Sequence, residues 1–226
     1  MKQYAVIVAG GSGTRMGSSI PKQFLSLKGH PVLWWSLKAF HDENPDTEII
    51  LVLPADFIDL WKDFFTSQKS EEQFPHKIVA GGSSRTESVR NGLSAVENED
   101  SLVAVHDGAR PLVSGRMISQ GWASAEASGA AIPVVAVTDS LRKIEGEGSV
   151  AVDRNEFVAV QTPQVFKTGI LKDAYRKAGS KVFSDDASVV EAAGCKISLY
   201  DGDVVNMKIT NPKDMAIASV IMDGNV

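Results

Sequence analysis

Apolar residues fall into short runs along the chain, at 4–8, 48–53, 77–80, 102–105, 130–137, 157–161 and 196–200. Between these runs the spacing turns helical. Leu33, Leu37 and Phe40 share one helical face, and 56–65, 84–96, 114–128 and 185–193 read as further helices. Strands and helices therefore alternate. Runs such as Ile49-Ile50-Leu51-Val52-Leu53 are continuously apolar rather than alternating, which predicts central strands of a mostly parallel sheet with helices on both faces. A last helix is predicted from Asn211 as N-cap, with Pro212 at its first position and Asp214 in its first turn. The fold class is α/β, in a single domain spanning 1–226.

Residues 138–156, TDSLRKIEGEGSVAVDRNE, break the alternation. They are polar, with a Gly-Glu-Gly turn between two short β-like segments, and predict a projecting hairpin. Such a hairpin is either a solvent-exposed connection or an arm that reaches another subunit.

Composition narrows the function classes. The 226 residues carry 23 basic and 28 acidic side chains, a net charge of -5, so the surface as a whole does not attract nucleic acid. No apolar run approaches the roughly 20 residues of a membrane helix. The first residues enter a predicted strand without a charged leader, so a cytoplasmic protein is expected. The single cysteine, Cys195, follows Gly194 among apolar neighbours and is expected to be a buried structural thiol.

Candidate chemistry lies where strands end. Val8-Ala9-Gly10-Gly11-Ser12-Gly13-Thr14-Arg15-Met16-Gly17 follows the first strand, and Pro21-Lys22 lies just beyond. Backbone N–H groups in such a loop cradle phosphate, and glycines let the backbone approach closely. A dinucleotide fingerprint needs glycine where Met16 stands, and a Walker A loop needs a terminal Gly-Lys-Ser/Thr that is missing. What distinguishes this loop is its pair of cations, Arg15 and Lys22.

A second stretch, His106-Asp107-Gly108-Ala109-Arg110-Pro111, ends the run 102–105. Ligands of open α/β sheets bind beyond the carboxyl ends of strands, so Asp107 and Arg110 should face the crevice of the glycine loop. Asp107 suits magnesium, which takes one or two carboxylates plus substrate phosphates. The alternative is a strand-end aspartate paired with Arg110. His106 reads as structural. A third stretch, Gly81-Gly82-Ser83-Ser84-Arg85-Thr86-Glu87-Ser88, reads as a helix start capped by Ser83 or Ser84, or as a third wall of the crevice. Downstream stand Val152-Asp153-Arg154, Gln161-Thr162-Pro163-Gln164, Ser184-Asp185-Asp186 and Asn206-Met207-Lys208-Ile209-Thr210-Asn211-Pro212. Pro163 forces Thr162 to be extended, which predicts a hydroxyl displayed at a strand end. Lys208, in an apolar segment, is either a snorkelling edge residue or a functional cation.

Together these stretches resemble the cytidylyltransferases of the non-mevalonate isoprenoid pathway, from Tyr4 to about Met222. The resemblance implies a Rossmann-like nucleotidyltransferase fold and a homodimer built through interlocked β-arms, which would make 138–156 the arm. It implies that CTP and 2-C-methyl-D-erythritol 4-phosphate are joined with release of pyrophosphate, with Mg2+ on Asp107. By position, Arg15 and Lys22 would contact the CTP phosphates and stabilise the transition state. Ala9, Gly10, Gly11, Gly13, Gly82, Arg85, Ser88 and Gly108 would line the nucleotide. Arg154 and Lys208 would position the sugar phosphate, with Asp107, Arg110, Thr162, Ser184 and Asp185 nearby, and Ser140 and Arg154 would enter the partner's site. The chain departs from the family pattern at Val8, at Ser140 in place of threonine, and at Ser83, which removes a carboxylate. A ribitol 5-phosphate cytidylyltransferase is the near rival, disfavoured by Ala109 and Val152-Asp153-Arg154. An NAD-dependent oxidoreductase is disfavoured by Met16.

Overall fold

The computed structural model describes residues 1–10 and 21–224. Gly11, Gly13 and Arg15 lie outside the described residues.

The apolar runs form the strands of one sheet. β1 (Lys2–Val8) leads through two two-residue strands, β2 (Ser26–Leu27) and β3 (His30–Pro31), into α1 (Val32–Glu43) and β4 (Glu48–Leu53). α2 (Ile58–Ser67), β5 (Lys77–Ala80), α3 (Arg85–Ser94) and β6 (Ser101–Asp107) continue the alternation. α4 (Gly115–Ser128) and β7 (Ala130–Ala136) follow, then the arm hairpin β8 (Arg142–Glu145) and β9 (Gly148–Ala151). The chain returns through β10 (Val158–Val160) and β11 (Gln164–Lys167) to α5 (Thr168–Ala178), α6 (Asp186–Ala192), β12 (Ser198–Asp201) and α7 (Pro212–Met222).

β1 lies between β4 and β6, both parallel to it, and β5 continues parallel beyond β4. β11 inserts antiparallel between β6 and β7, and β12 adds parallel to β7. β10 also pairs antiparallel with β7, so the return segment 158–167 supplies the antiparallel pairing in an otherwise parallel sheet.

The continuous apolar runs are explained by two buried faces. Successive side chains of a strand point to opposite sides. Ala5, Ile7, Ile49 and Leu51 pack with Leu37 and Phe40 of α1, Trp61 of α2 and Trp122 of α4. Tyr4, Val6, Ile50 and Val52 pack with Val89 of α3, Leu171 and Tyr175 of α5 and Val190 of α6. Each fully buried aliphatic side chain contributes about 1.5–3 kcal/mol to this core. A third, small cluster of Leu27, Val32, Ile209 and Ala218 holds α7 against the segment before α1.

Three features differ from the sequence reading. β11 and α5 were not expected. α5 starts directly from a strand at Lys167 with no side-chain cap, so neither a gap nor a capping residue marks its start. Cys195 is exposed, not buried. Gly194 has φ 89° and Cys195 N–H donates to Val190 O at 3.2 Å, so the chain reverses over the end of α6 and the thiol stays outside. The arm region does form a hairpin.

Candidate active site

Three loops leave the same edge of the sheet, and each opens by continuing the ladder of its neighbour. Ala9 N–H donates to Val52 O at 3.0 Å, Gly81 N–H to Leu53 O at 2.7 Å and Gly108 N–H to Val8 O at 2.9 Å. The loops are therefore in register before any side chain acts. A Cβ on Gly108 would lie 2.7 Å from Leu33 Cδ1 and 3.2 Å from Ala9 Cβ, so only glycine lets the second loop approach the first.

Side chains then tie the loops together. Gln23, buried in the 3-10 turn Lys22–Phe24, donates from Nε2 to Ala9 O at 2.6 Å and sets half-buried Lys22 beside the first loop. Ser84 is the N-cap of α3, accepting from Glu87 N–H. Buried Ser88 Oγ accepts from Gly82 N–H at 3.1 Å and donates to Ser84 O at 2.9 Å. A Cβ on Gly10 would fall 3.5 Å from the same oxygen, so Ser88 stands where the first and third loops meet. Glu87, from α3, accepts from both Ser83 N–H and Ser83 Oγ–H at 2.7 Å. Those bonds lower the Glu87 pKa.

Asp107 is the electrostatic centre. Its Oδ2 lies 2.8 Å from Lys208 Nζ and 3.7 Å from Arg110 Nε, and its Oδ1 lies 3.5 Å from Arg85 Nε. Burial alone would raise its pKa, but the charges of Arg85, Lys208 and Arg110 hold it well below the usual carboxylate range. Arg110 Nη1 donates to Asn206 O at 2.8 Å, which fixes the guanidinium from behind.

Thr162 is buried, and its hydroxyl faces inward instead of into the crevice as expected. It accepts from Asp107 N–H at 3.1 Å and lies 3.1 Å from His106 Nδ1, while His106 Nε2 lies 3.2 Å from Arg110 O. A carbonyl only accepts, so Nε2 carries the hydrogen and Nδ1 accepts from Thr162. Burial lowers the His106 pKa to about 4, so the ring is neutral and structural.

The other expected residues make contacts of their own. Asp185 caps α6, accepting from Ser188 N–H at 3.2 Å, Ser188 Oγ at 2.6 Å and Gln164 Nε2 at 2.8 Å. Ser184 is exposed beside it. Arg154 donates to Thr138 O at the base of the arm and, with Ser140, lines a cavity of about 470 Å³ formed by arm residues. Among the described residues, no hydrogen bond or ion pair joins Arg154 or Ser140 to the Asp107 cluster. Among them, too, no group of three His, Cys, Asp or Glu residues is placed to hold a metal ion, and no helix is long and apolar enough to cross a membrane.

Three supporting residues had no assigned role from sequence. Gln161 binds the backbone of Asp203 on both sides, at 2.8 and 3.1 Å, and Asn206 Nδ2 donates to Thr162 O at 2.9 Å. Asp186, fully buried, holds Arg85. The available signal was polar residues flanking Pro163 and an uninterrupted Asp-Asp at a helix start.

The chain matches, over residues 3–224, the model of the family IspD, 2-C-methyl-D-erythritol 4-phosphate cytidylyltransferase. It is 45% identical to a 2-C-methyl-D-erythritol 4-phosphate cytidylyltransferase of Bacteroides thetaiotaomicron, over 98% of this chain and 100% of that protein. Among solved structures, that of the 2-C-methyl-D-erythritol 4-phosphate cytidylyltransferase of Thermus thermophilus superposes with a TM-score of 0.80 at 33% identity, covering 99% of this chain and 100% of that one. A 4-diphosphocytidyl-2C-methyl-D-erythritol synthase of Anaerococcus prevotii gives 0.83 at 26% identity, covering 98% of each chain. The sheet order, the glycine loops and the cations gathered on Asp107 thus belong to a member of the 2-C-methyl-D-erythritol 4-phosphate cytidylyltransferase family.

Proposed function

We propose that this crevice transfers CMP from CTP to 2-C-methyl-D-erythritol 4-phosphate, giving 4-diphosphocytidyl-2-C-methyl-D-erythritol and pyrophosphate. The observation that carries the reading is the convergence of Arg85, Arg110 and Lys208 on buried Asp107, beside glycine loops, in a chain of net charge -5. Two anionic substrates repel each other, so the reaction needs clustered positive charge more than a base. The attacking phosphate is already largely ionised, its second pKa being about 6. His106 agrees with this, being neutral and committed to the turn.

The sugar phosphate oxygen attacks the α-phosphorus in line, a P–O bond forms, and pyrophosphate leaves with the bonding pair. Positioning and charge stabilisation supply the rate. Arg15 and Lys22 stabilise the charge on the triphosphate. Ala9, Gly10, Gly11, Gly13, Gly82, Arg85, Ser88 and Gly108 line the nucleotide. Lys208 spends one N–H on Asp107, and its side chain is 41% exposed, which leaves donors for the sugar phosphate. Arg110 flanks it, Thr162 and Asp185 act through the backbone they brace, and exposed Ser184 contacts the sugar phosphate directly.

Magnesium fits the donor set: Asp107 with the substrate phosphates is the one-carboxylate arrangement this ion accepts. Bound there, it would withdraw charge from the α-phosphate. A homodimer supplies Ser140 and Arg154 in trans. Supporting this, the arm and its neighbouring strand expose apolar side chains, with Ile144 at 75%, Phe157 at 45% and Val158 at 45%. A cytoplasmic location completes the reading.

Pyrophosphate release is measured with CTP and either acceptor, with and without magnesium. Turnover is expected with the methylerythritol phosphate and not with ribitol 5-phosphate. Equal turnover of the two would overturn the acceptor assignment, and none with either would overturn the function.

A further inference from the structure

Behind the crevice lies a second carboxylate that substrate does not reach. Asp186, in the first turn of α6, has no exposed surface. It accepts from Arg85 Nη2 at 2.7 Å and from Tyr175 Oη at 2.6 Å. Its backbone N–H donates to Gln164 Oε1 at 3.0 Å, so β11 fixes its position. Arg85, from the first turn of α3, thus spans two carboxylates, Asp186 through Nη2 and Asp107 through Nε at 3.5 Å.

A guanidinium is a planar fork of five donors, and its natural partner is a single carboxylate held by two of them. Asp107 offers such a carboxylate, which Arg85 approaches through Nε at 3.5 Å. Turned fully onto it, Arg85 would compete with Lys208 and withdraw its own charge from the ligand. Asp186 prevents that turn by holding Nη2 on the far side. Tyr175 makes Asp186 a fixed anchor, because burial pushes the phenol pKa up and the hydroxyl remains a donor.

We infer that Asp186, braced by Tyr175, is a positioning residue for the reaction: it holds Arg85 extended between two carboxylates so that the remaining guanidinium N–H groups face the nucleotide phosphates. This rests on the reading above that Arg85 lines the nucleotide. A buried ion pair that only joined α6 to α3 would affect stability and leave substrate binding alone.

The test is a double-mutant cycle of Asp186→Asn and Arg85→Gln, reading melting temperature, kcat and the KM of each substrate. Asp186→Asn is expected to raise the KM for CTP about tenfold while the KM for the sugar phosphate stays within about twofold. In the Arg85→Gln background the same change is expected to cost less than about twofold. A wild-type KM for CTP in Arg85→Gln would sink the role of Arg85 and the inference with it. An impaired Arg85→Gln whose loss is multiplied by Asp186→Asn would overturn the inference alone. Should Asp186→Asn fail to fold, Tyr175→Phe removes a single oxygen from the same chain. It is expected to raise the KM for CTP about threefold, and not at all in the Arg85→Gln background. Wild-type kinetics at a lowered melting temperature would overturn the inference.

Discussion

The Thr162 hydroxyl donates to His106 Nδ1 and accepts from the Asp107 N–H, each at 3.1 Å, so one oxygen joins the return strand to the end of β6. Thr162→Val keeps the shape and leaves a buried donor and a buried acceptor unmatched, at a cost of about 1–3 kcal/mol. Thermal unfolding is expected to show it as a fall in Tm of roughly 2–4 °C for each kcal/mol, with Thr162→Ser close to wild type. Unchanged melting of Thr162→Val would mean that the circuit adds nothing.

Lys22 is held at the first loop by its neighbour Gln23, which bonds Ala9 O. Removing one preorganised charge donor typically costs 10²–10³ in kcat, about 3–4 kcal/mol. Lys22→Ala is therefore expected to fold normally and to lose at least about a hundredfold in turnover. Full activity in the purified variant would remove Lys22 from the chemistry.

Arg154 sits in the arm, apart from the Asp107 cluster of its own chain. Mixing inactive Arg154→Ala protein with inactive Lys22→Ala protein is expected to restore part of the activity, because in the proposed dimer one of the two crevices of a mixed pair would carry both wild-type residues. If subunits exchange and no activity returns, Arg154 does not work across the interface.

Two histidines, buried His106 and half-buried His76, should make stability fall in mild acid, and the share of His76 can be tested by itself. Trp61 Nε1 donates to His76 Nε2 at 2.8 Å, so the ring must be neutral to accept, and Nδ1 then donates to Phe74 O at 3.1 Å. Burial, only partly offset by the Phe74 carbonyl, lowers its pKa below 6.5. The folded protein therefore binds fewer protons than the unfolded chain. Its stabilisation is complete above pH 6.5 and is lost as the pH falls through the folded-state pKa. Urea midpoints are expected to drop from about pH 7.5 towards about pH 5, with a shallower drop in His76→Gln. Equal slopes for the two proteins would exclude His76 as the cause.

The sheet was legible because its central strands bury both faces, which writes unbroken apolar runs at β1, β4 and β6. β11 was not legible, since Pro163 reads as a strand end and only four residues follow before α5. For the site, the ends of β5 and β6 already pointed to the stretches in which Ser88, Asp107 and Arg110 stand. Thr162 shows the limit: an extended backbone says that a side chain projects, while His106 and the Asp107 N–H decide into what. Asp185 shows another, because a carboxylate beside a candidate site reads as a ligand until its three donors in α6 and β11 are seen. Cys195 was misplaced because neighbouring apolar residues do not indicate which side of a turn faces solvent.

Asp107 and Lys208 stand 101 positions apart, as do Arg85 and Asp186. During synthesis, then, Asp107 leaves the ribosome long before its lysine exists, and Arg85 long before its anchor. A chain that ends before α5 lacks helices that cover one face of β1, β4 and β6, and its crevice has neither its full charge nor its order. The order of the crevice is therefore a late product of synthesis, complete only once the segment through Lys208 has docked.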